Sequence, residues 1–130
     1  MTSLLLTPAH GPETVAATRR RLVEALTAAG VAESLTRDAE LAAGELLANA
    51  AVHGRALPDG TIRVEARWSR HRVRVAVRDG GCATGFGPPE QPPPPGATSG
   101  VGLWLASRVG RVTVRCSGPA QTMVTVSIPR

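Results

Sequence analysis

The sequence predicts an α/β fold, a two-layer sandwich in which a mixed, mainly antiparallel sheet is covered on one face by three helices. Two observations predict this architecture. Apolar residues recur at helical spacing through much of the first 53 residues. After Thr61, apolar and polar residues alternate with a period of two in four separate segments, as in strands with one buried face. The length of 130 residues predicts a single domain over residues 1–130.

The N-terminal part is predicted to form a short strand and two helices. Residues 3–6 fit the strand, and a turn containing Pro8 and Pro12 leads into a helix over residues 13–29, which Gly30 ends. The second helix begins near residues 33–36 and runs to His53, and Gly54 ends it. Three consecutive arginines at 19–21 are predicted to be a solvated part of the first helix, with a partner-binding patch as the alternative.

The second part is predicted to form four strands and the third helix. Residues 62–68 and 73–78 alternate around a turn at residues 69–71, which indicates a hairpin. The alternation returns over residues 112–116 and 124–128. On the outer face of this sheet the alternation places seven arginines: Arg63, Arg67, Arg72, Arg74, Arg78, Arg111 and Arg115.

Composition excludes several classes of function. The chain has a net charge of +5 with 15 basic residues, and all of them are arginine. A P-loop lysine and a Schiff-base lysine are therefore impossible. Cys82 and Cys116 lack metal-ligand spacing and are expected to be reduced thiols. The sequence shows no secretory signal or membrane span, so we expect a cytoplasmic protein with no membrane contact.

The arginine-rich face is compatible with nucleic-acid binding, but other features argue against it. The chain has one Phe, two Trp and no Tyr, so stacking platforms for single strands are missing. No helix-turn-helix or zinc pattern is present. We therefore expect a solvated face and no direct contact with nucleic acid.

A loop rich in proline and glycine separates the hairpin from the third helix. It covers residues 82–99 and is predicted to be an extended, semi-rigid surface segment. Such a loop is either a lid over a binding site or a solvated connector. Gly100 and Gly102 then open the third helix, where exposed backbone amides favour anions.

Two polar residues interrupt the otherwise apolar second helix. Glu45 and Asn49 are four residues apart and share one helix face. An unpaired polar group in such surroundings costs about 2–7 kcal/mol, so a partner is required. A carboxylate can polarise a hydroxyl or water, and an amide oxygen can take one position on magnesium. The alternative is a buried hydrogen-bonded pair near a helix end.

The order of these motifs is more specific than any one of them. An early helix carries Glu45 and Asn49, a hairpin strand ends in Asp79 before Gly80 and Gly81, a glycine-opened helix follows, and a threonine begins the last strand. In this order they resemble the GHKL ATP-binding superfamily, which includes gyrase, heat-shock chaperones, sensor histidine kinases and mismatch-repair ATPases. Within it, the whole chain looks most like the small anti-sigma factor serine kinases.

The resemblance implies the histidine kinase/gyrase-type fold and a site for ATP and magnesium. Glu45 matches the residue that acts as general base or orients the acceptor, and Asn49 matches the magnesium-binding amide. Asp79 matches the carboxylate that accepts a hydrogen bond from the adenine amino group, with Gly81 beside the base. The remaining matches are Gly100 and Gly102 beside the phosphates, Thr122 supporting the adenine site, and His53, which is otherwise a helix-capping histidine.

The implied activity is transfer of the ATP terminal phosphate to a serine of an antagonist protein. The implied partners are that antagonist and a sigma factor, which the free kinase sequesters, and the resemblance also implies a homodimer. A catalytically inactive adaptor is the alternative, because the family pattern has glycine where this chain has Ala83 and Gln121. A detached sensor histidine kinase domain fits less well, because no helical hairpin with a phospho-accepting histidine precedes the domain.

Overall fold

The computed structural model describes residues 2–81, 101–116 and 121–129. Its elements follow the order predicted from the sequence. The strands are β1 (Thr2–Leu6), β2 (Arg63–Trp68), β3 (Arg72–Asp79), β4 (Arg111–Cys116) and β5 (Thr122–Pro129). The helices are α1 (Val15–Ala28), which follows a 3₁₀ turn at Pro12–Thr14, α2 (Glu33–Val52) and α3 (Val101–Val109).

The described strands form one five-stranded sheet in the order β1-β2-β3-β5-β4. Every pair in it is antiparallel. The predicted α/β sandwich with a mainly antiparallel sheet is therefore confirmed, and the described sheet contains no parallel pair. β3 and β5 are neighbours although α3 and β4 lie between them in the chain, so the last strand inserts into the middle of the sheet.

The helices pack on one face of this sheet, and α2 is the central helix. It contacts α1, α3 and β3. Four small residues, Ala39, Ala42, Ala43 and Ala50, are at most 1% exposed, which lets α2 lie close to its neighbours. Leu46 and Leu47 are 1% exposed and contribute roughly 1.5–3 kcal/mol each by leaving water. Among the described helices, α2, which carries Glu45 and Asn49, has the most buried residues.

The opposite face of the sheet carries the seven predicted arginines. The strands alternate as the sequence indicates: β2 and the start of β3 present buried residues to the helices and exposed residues to the other side. All seven arginines lie on this outer side, and Arg78 is the one that is half-buried. The predicted position of the seven arginines on the outer face is therefore confirmed.

Some predictions fall outside the described residues, among them the 82–99 loop, Cys82 and Gly100. Cys116 is an exposed free thiol at the end of β4. Among the helices that the structure describes, none has the length and apolar character needed to cross a membrane.

Candidate functional site

Asp79 and Thr122 face each other across two central strands. Asp79 is the last residue of β3 and Thr122 is the first residue of β5, and the register pairs them directly. Each is 2% exposed. The sequence places both at strand ends, and the antiparallel pairing of β3 with β5 brings them together. The structure therefore joins two of the predicted site residues that are 43 positions apart.

The Asp79 carboxylate is held by the backbone that follows it. The Gly81 N–H donates to Asp79 Oδ1 at 2.7 Å. Gly81 has a φ of 100°, a conformation that glycine adopts without strain. Burial raises the pKa of Asp79, while the Gly81 hydrogen bond and the nearby His10 lower it. A buried carboxylate of this kind is an acceptor that a donor-bearing ligand can use.

Residues 54–56 form the wall beside this carboxylate. Gly80 N–H donates to Arg55 O at 2.7 Å, and Arg55 N–H donates to Gly81 O at 3.1 Å. A Cβ at Gly54 would lie 2.3 Å from Asp79 Oδ2, and one at Gly80 would lie 2.0 Å from Ala56 O. The end of α2 and the end of β3 thus approach each other so closely that both positions require glycine.

His10 is a residue of this region that the sequence analysis did not assign to the site. Its Nε2 donates to Ala50 O at 3.0 Å, in the last turn of α2. The segment is fixed by backbone bonds from His10 N to Gly60 O and from Ile62 N to Pro8 O, each 3.0 Å. His10 therefore ties the N-terminal segment to the end of α2 beside Asp79. His10 and Ala50 are far apart in the sequence, so no local pattern indicates their hydrogen bond.

Glu45 lies at the other end of the site, against the first turn of α3. A Cβ at Gly102 would lie 2.8 Å from Glu45 Oε2, so glycine gives the carboxylate its space. Burial raises the pKa of Glu45, and Arg19 lowers it. A carboxylate with a raised pKa beside a helix start is suited to accept a proton from a bound hydroxyl group.

Arg19 is the second residue that sequence reasoning did not place in the site. It projects from α1 onto α2, where a Cβ at Gly44 would lie 3.3 Å from its Cδ and Nη1 atoms. Arg19 and Glu45 line the same open pocket of about 500 Å³, together with Arg37 and Leu41. Glu45 is part of the lining of this open pocket, and Leu41 in its wall is 40% exposed.

The remaining predicted residues occupy α2. Asn49 is half-buried one turn after Glu45. Its backbone carbonyl oxygen accepts a hydrogen bond from the backbone N–H of His53 at 2.9 Å. His53 is exposed at the C-cap position of α2. Glu45 precedes the end of α2 by seven residues, about 10 Å along the helix axis. The helix thus connects the Glu45 end of the site with the Asp79 end.

A protein-family model matches most of the chain. No curated protein shows significant similarity to the chain. The family model of the histidine kinase-like ATPase domain matches residues 9–128. The match runs from the His10 segment to the last strand and includes α2, the Asp79 turn and Thr122. The chain therefore belongs to the histidine kinase-like ATPase domain family.

Proposed function

We propose that this chain is an ATP-dependent protein serine kinase and anti-sigma factor. It transfers the terminal phosphate of ATP to a serine of an antagonist protein, and it sequesters a sigma factor when it is free of that antagonist. Family membership supports ATP binding. The kinase activity and the partners extend the resemblance to anti-sigma factor kinases, and the position of Glu45 described above supports the kinase activity.

The Asp79 end of the site fits the adenine base. The carboxylate is 2% exposed and fixed by Gly81, so it can accept a hydrogen bond from an exocyclic amino group without reorganising. Thr122 stands directly across from it on β5. Gly81 has no side chain, which allows a flat base to approach the backbone. These features support recognition of adenine at the end of β3.

The other end of the site fits the phosphates and a magnesium ion. Asn49 is the residue that would hold magnesium, because an amide oxygen is a hard ligand. Magnesium would neutralise the charge that develops on the phosphate oxygens. The first turn of α3, with Gly102, offers backbone amides to an anion. This turn lies directly beside Glu45.

The contact between Glu45 and the start of α3 is the observation that carries the proposal. It supports a role for Glu45 as a proton acceptor next to the helix start that would hold the terminal phosphate. Glu45 would take the proton of the serine hydroxyl as the serine oxygen forms its bond to the phosphorus. The bond from that phosphorus to the bridging oxygen breaks, and ADP leaves. The pocket lined by Arg19 and Leu41 gives a protein segment access to the carboxylate.

An inactive adaptor of the same fold is the second candidate. Burial raises the pKa of Glu45, but the charge of Arg19 lowers it, and a carboxylate with a lowered pKa is a weaker base. Gln121 also stands before Thr122, where the family pattern has glycine. Such a protein would bind nucleotide and capture its partner without transferring phosphate.

The test uses ATP labelled on its terminal phosphate, magnesium, and a purified panel of small antagonist proteins from the source organism. We expect label on a serine of one antagonist, and we expect Glu45→Ala to abolish transfer while ATP binding persists. Transfer that is unchanged in Glu45→Ala refutes the assigned base. Stoichiometric capture of an antagonist without transfer, with any divalent metal, supports the adaptor instead.

The sigma-factor part needs a separate measurement. The full chain is mixed with purified sigma factors from the same organism, and complexes are detected by gel filtration. We expect one sigma factor to co-elute with the chain in the presence of ATP and to be released when the antagonist is added. Co-elution with none of the sigma factors would contradict this part of the proposal and leave the kinase test unaffected.

A further inference from the structure

The outer face of the sheet carries arginines in two ordered rows. The strand register places Arg67 opposite Arg74, and Ser127 separates Arg74 from Arg111. It places Arg63 opposite Arg78, and Met123 separates Arg78 from Arg115. We call these six residues the arginine face: a first row of Arg67, Arg74 and Arg111, and a second row of Arg63, Arg78 and Arg115.

The two rows are separated by a nearly uncharged strip. On β2, β3 and β4 the two arginines of each strand are four residues apart, which is about 13 Å along a strand. Between them the register aligns Leu5, Glu65, Ala76, Thr125 and Thr113 from one edge of the sheet to the other. Leu5 is 59% exposed at the edge of this strip. The strip therefore combines the apolar Leu5 and Ala76 with two threonines and one glutamate, and positive charge lies along both of its sides.

The positive charge of the chain is concentrated on this side of the sheet. Together with Arg72 at the start of β3, seven of the 15 basic residues lie here. Glu65 is the single acidic residue on the outer side of these strands, and it pairs with Arg67 at 3.3 Å. Within residues 2–81, 101–116 and 121–129, no ion pair joins any other arginine of the face to a carboxylate. The rest of the sequence holds fewer basic than acidic residues.

We propose that the arginine face binds an acidic amphipathic helix of a partner protein. An α-helix with its side chains is about 10–12 Å wide, which matches the separation of the two rows. A helix lying across the strands would place apolar side chains on the central strip and carboxylates on both flanks. Three strand spacings separate the ends of each row, roughly 14 Å, so three turns of helix are enough to span a row.

The observations favour such a helix over nucleic acid. The central strip has methyl groups where a helix has its apolar stripe, and it offers no aromatic ring on which a base could stack. Met123 and Arg78 also contact each other, with Arg78 Nη2 3.7 Å from Met123 Sδ, so the second row includes apolar surface. These features match an amphipathic helix in both its charge and its apolar surface.

The probe is a fluorescein-labelled synthetic helix of about 16 residues, with leucines along one stripe and glutamates on both flanks. Its binding to the full chain is measured by fluorescence anisotropy. Each row is neutralised in turn, as Arg67→Gln with Arg74→Gln and Arg111→Gln, or as Arg63→Gln with Arg78→Gln and Arg115→Gln. The matched control removes three exposed charges elsewhere, with Arg20→Gln, Arg21→Gln and Arg108→Gln.

We expect either row variant to weaken peptide binding by about tenfold or more, and the control to change it by less than about twofold. Glu65→Gln removes the opposing charge and should strengthen binding. The proposal is overturned if the control variant weakens binding as much as a row variant does, or if Glu65→Gln leaves binding unchanged. It is also overturned if a peptide with its glutamates scattered around the helix binds with equal affinity. Displacement of the peptide by random-sequence duplex DNA at equal charge would overturn it in favour of nucleic acid.

Circular dichroism and ATP binding confirm that each variant is folded. If a triple variant does not fold, the single variants Arg74→Gln and Arg78→Gln repeat the test with the control Arg20→Gln. The outcome is independent of phosphate transfer, because the arginine face lies on the side of the sheet opposite the helices. Failure here would leave the proposed kinase activity standing.

Discussion

The Glu45 carboxylate lies against Gly102, at the first turn of α3, where an added Cβ would be 2.8 Å from Glu45 Oε2. The contact joins α2, which carries the acidic residue, to the helix start that favours anions. It also makes the position of the carboxylate sensitive to a single methyl group. Two of the predictions below follow from this contact.

Gly102→Ala tests the contact itself. Alanine favours a helix by about 1 kcal/mol over glycine, but the new methyl group must push the Glu45 side chain away. We expect phosphate transfer to fall roughly tenfold while ATP affinity changes little, because the base is displaced and the adenine end is untouched. Transfer and ATP binding are measured separately on the purified variant.

A double-mutant cycle provides the control for Gly102→Ala. In the Glu45→Ala background the methyl group meets no carboxylate, so the full gain in helix stability should appear in urea unfolding. In the chain with Glu45 present, the gain should be smaller. Equal gains in both backgrounds would show that the two residues do not interact.

The pH dependence of phosphate transfer tests Glu45 as the base. Burial raises the pKa of Glu45, so activity should be lost on acidification at a higher pH than an ordinary glutamate would give. Arg19 lowers that pKa, and Arg19→Gln should therefore move the acid limb of the profile to still higher pH. Arg20→Gln removes the same charge from the exposed side of α1 and should leave the profile in place. A profile that does not respond to Arg19→Gln would contradict the role of this pair.

Asp79→Asn should separate function from stability. The amide keeps an acceptor for Gly81 but presents its NH₂ group where adenine needs an acceptor, so ATP affinity should fall by about tenfold or more. Burial raises the pKa of Asp79 in the folded state, above the unfolded value of about 3.9. As the pH rises, Asp79 therefore loses its proton in the unfolded state before it does so in the folded state. The free energy of unfolding falls as the pH rises from the unfolded-state pKa to the folded-state pKa. Asp79→Asn should remove this loss and be at least as stable at neutral pH.

Asp59→Asn is the matched control for that substitution. Thr61 donates to Asp59 Oδ1 from its backbone and its hydroxyl, and these bonds lower the pKa of Asp59. Its contribution to stability therefore has the opposite sign, present at neutral pH and lost on acidification. We expect Asp59→Asn to leave ATP affinity unchanged and to reduce stability at neutral pH. Thermal unfolding across a pH series measures both variants.

Gly80→Ala should disrupt the wall of the site. Its Cβ would lie 2.0 Å from the Ala56 carbonyl, a backbone atom that cannot rotate away. We expect a loss of about 2 kcal/mol or more in the free energy of unfolding, together with weaker ATP binding.

Gly60→Ala is the comparison, because its φ of 83° is strained for alanine but nothing lies within 4 Å of the added Cβ. It should cost about 1–2 kcal/mol and spare ATP binding. A smaller loss for Gly80→Ala than for Gly60→Ala would contradict the close approach of the two segments.

The elements of the fold could be predicted because their signals are local. The 3.6-residue period of α2 and the two-residue period of β2 and β3 lie in short windows of sequence. The same alternation assigned the arginines to the outer face. The order of strands was not predicted, because the pairing of β3 with β5 depends on which apolar faces fit together over long separations. That pairing is what brings Asp79 and Thr122 together.

Of the candidate site, only the residues that belong to sequence motifs could be predicted. Asp79, Glu45 and Asn49 stand in patterns that have a chemical meaning within the sequence itself. The hydrogen bond of His10 to Ala50 and the electrostatic effect of Arg19 on Glu45 join different elements of the fold. No pattern within either segment of the sequence indicates them. Gly54 appears in the sequence as a helix terminator, whereas the structure shows that it also makes room for Asp79.

The most direct test of the account is calorimetric titration of the full chain with ATP and magnesium, beside Asp79→Asn and Asn49→Ala. The account predicts saturable binding of one ATP, weakened by about tenfold or more in each variant, because one residue reads adenine and the other holds the metal. The effect of Asn49→Ala should disappear when magnesium is removed. Failure of the unchanged chain to bind ATP, or equal binding in all three proteins, would contradict a nucleotide site between Asp79 and Glu45.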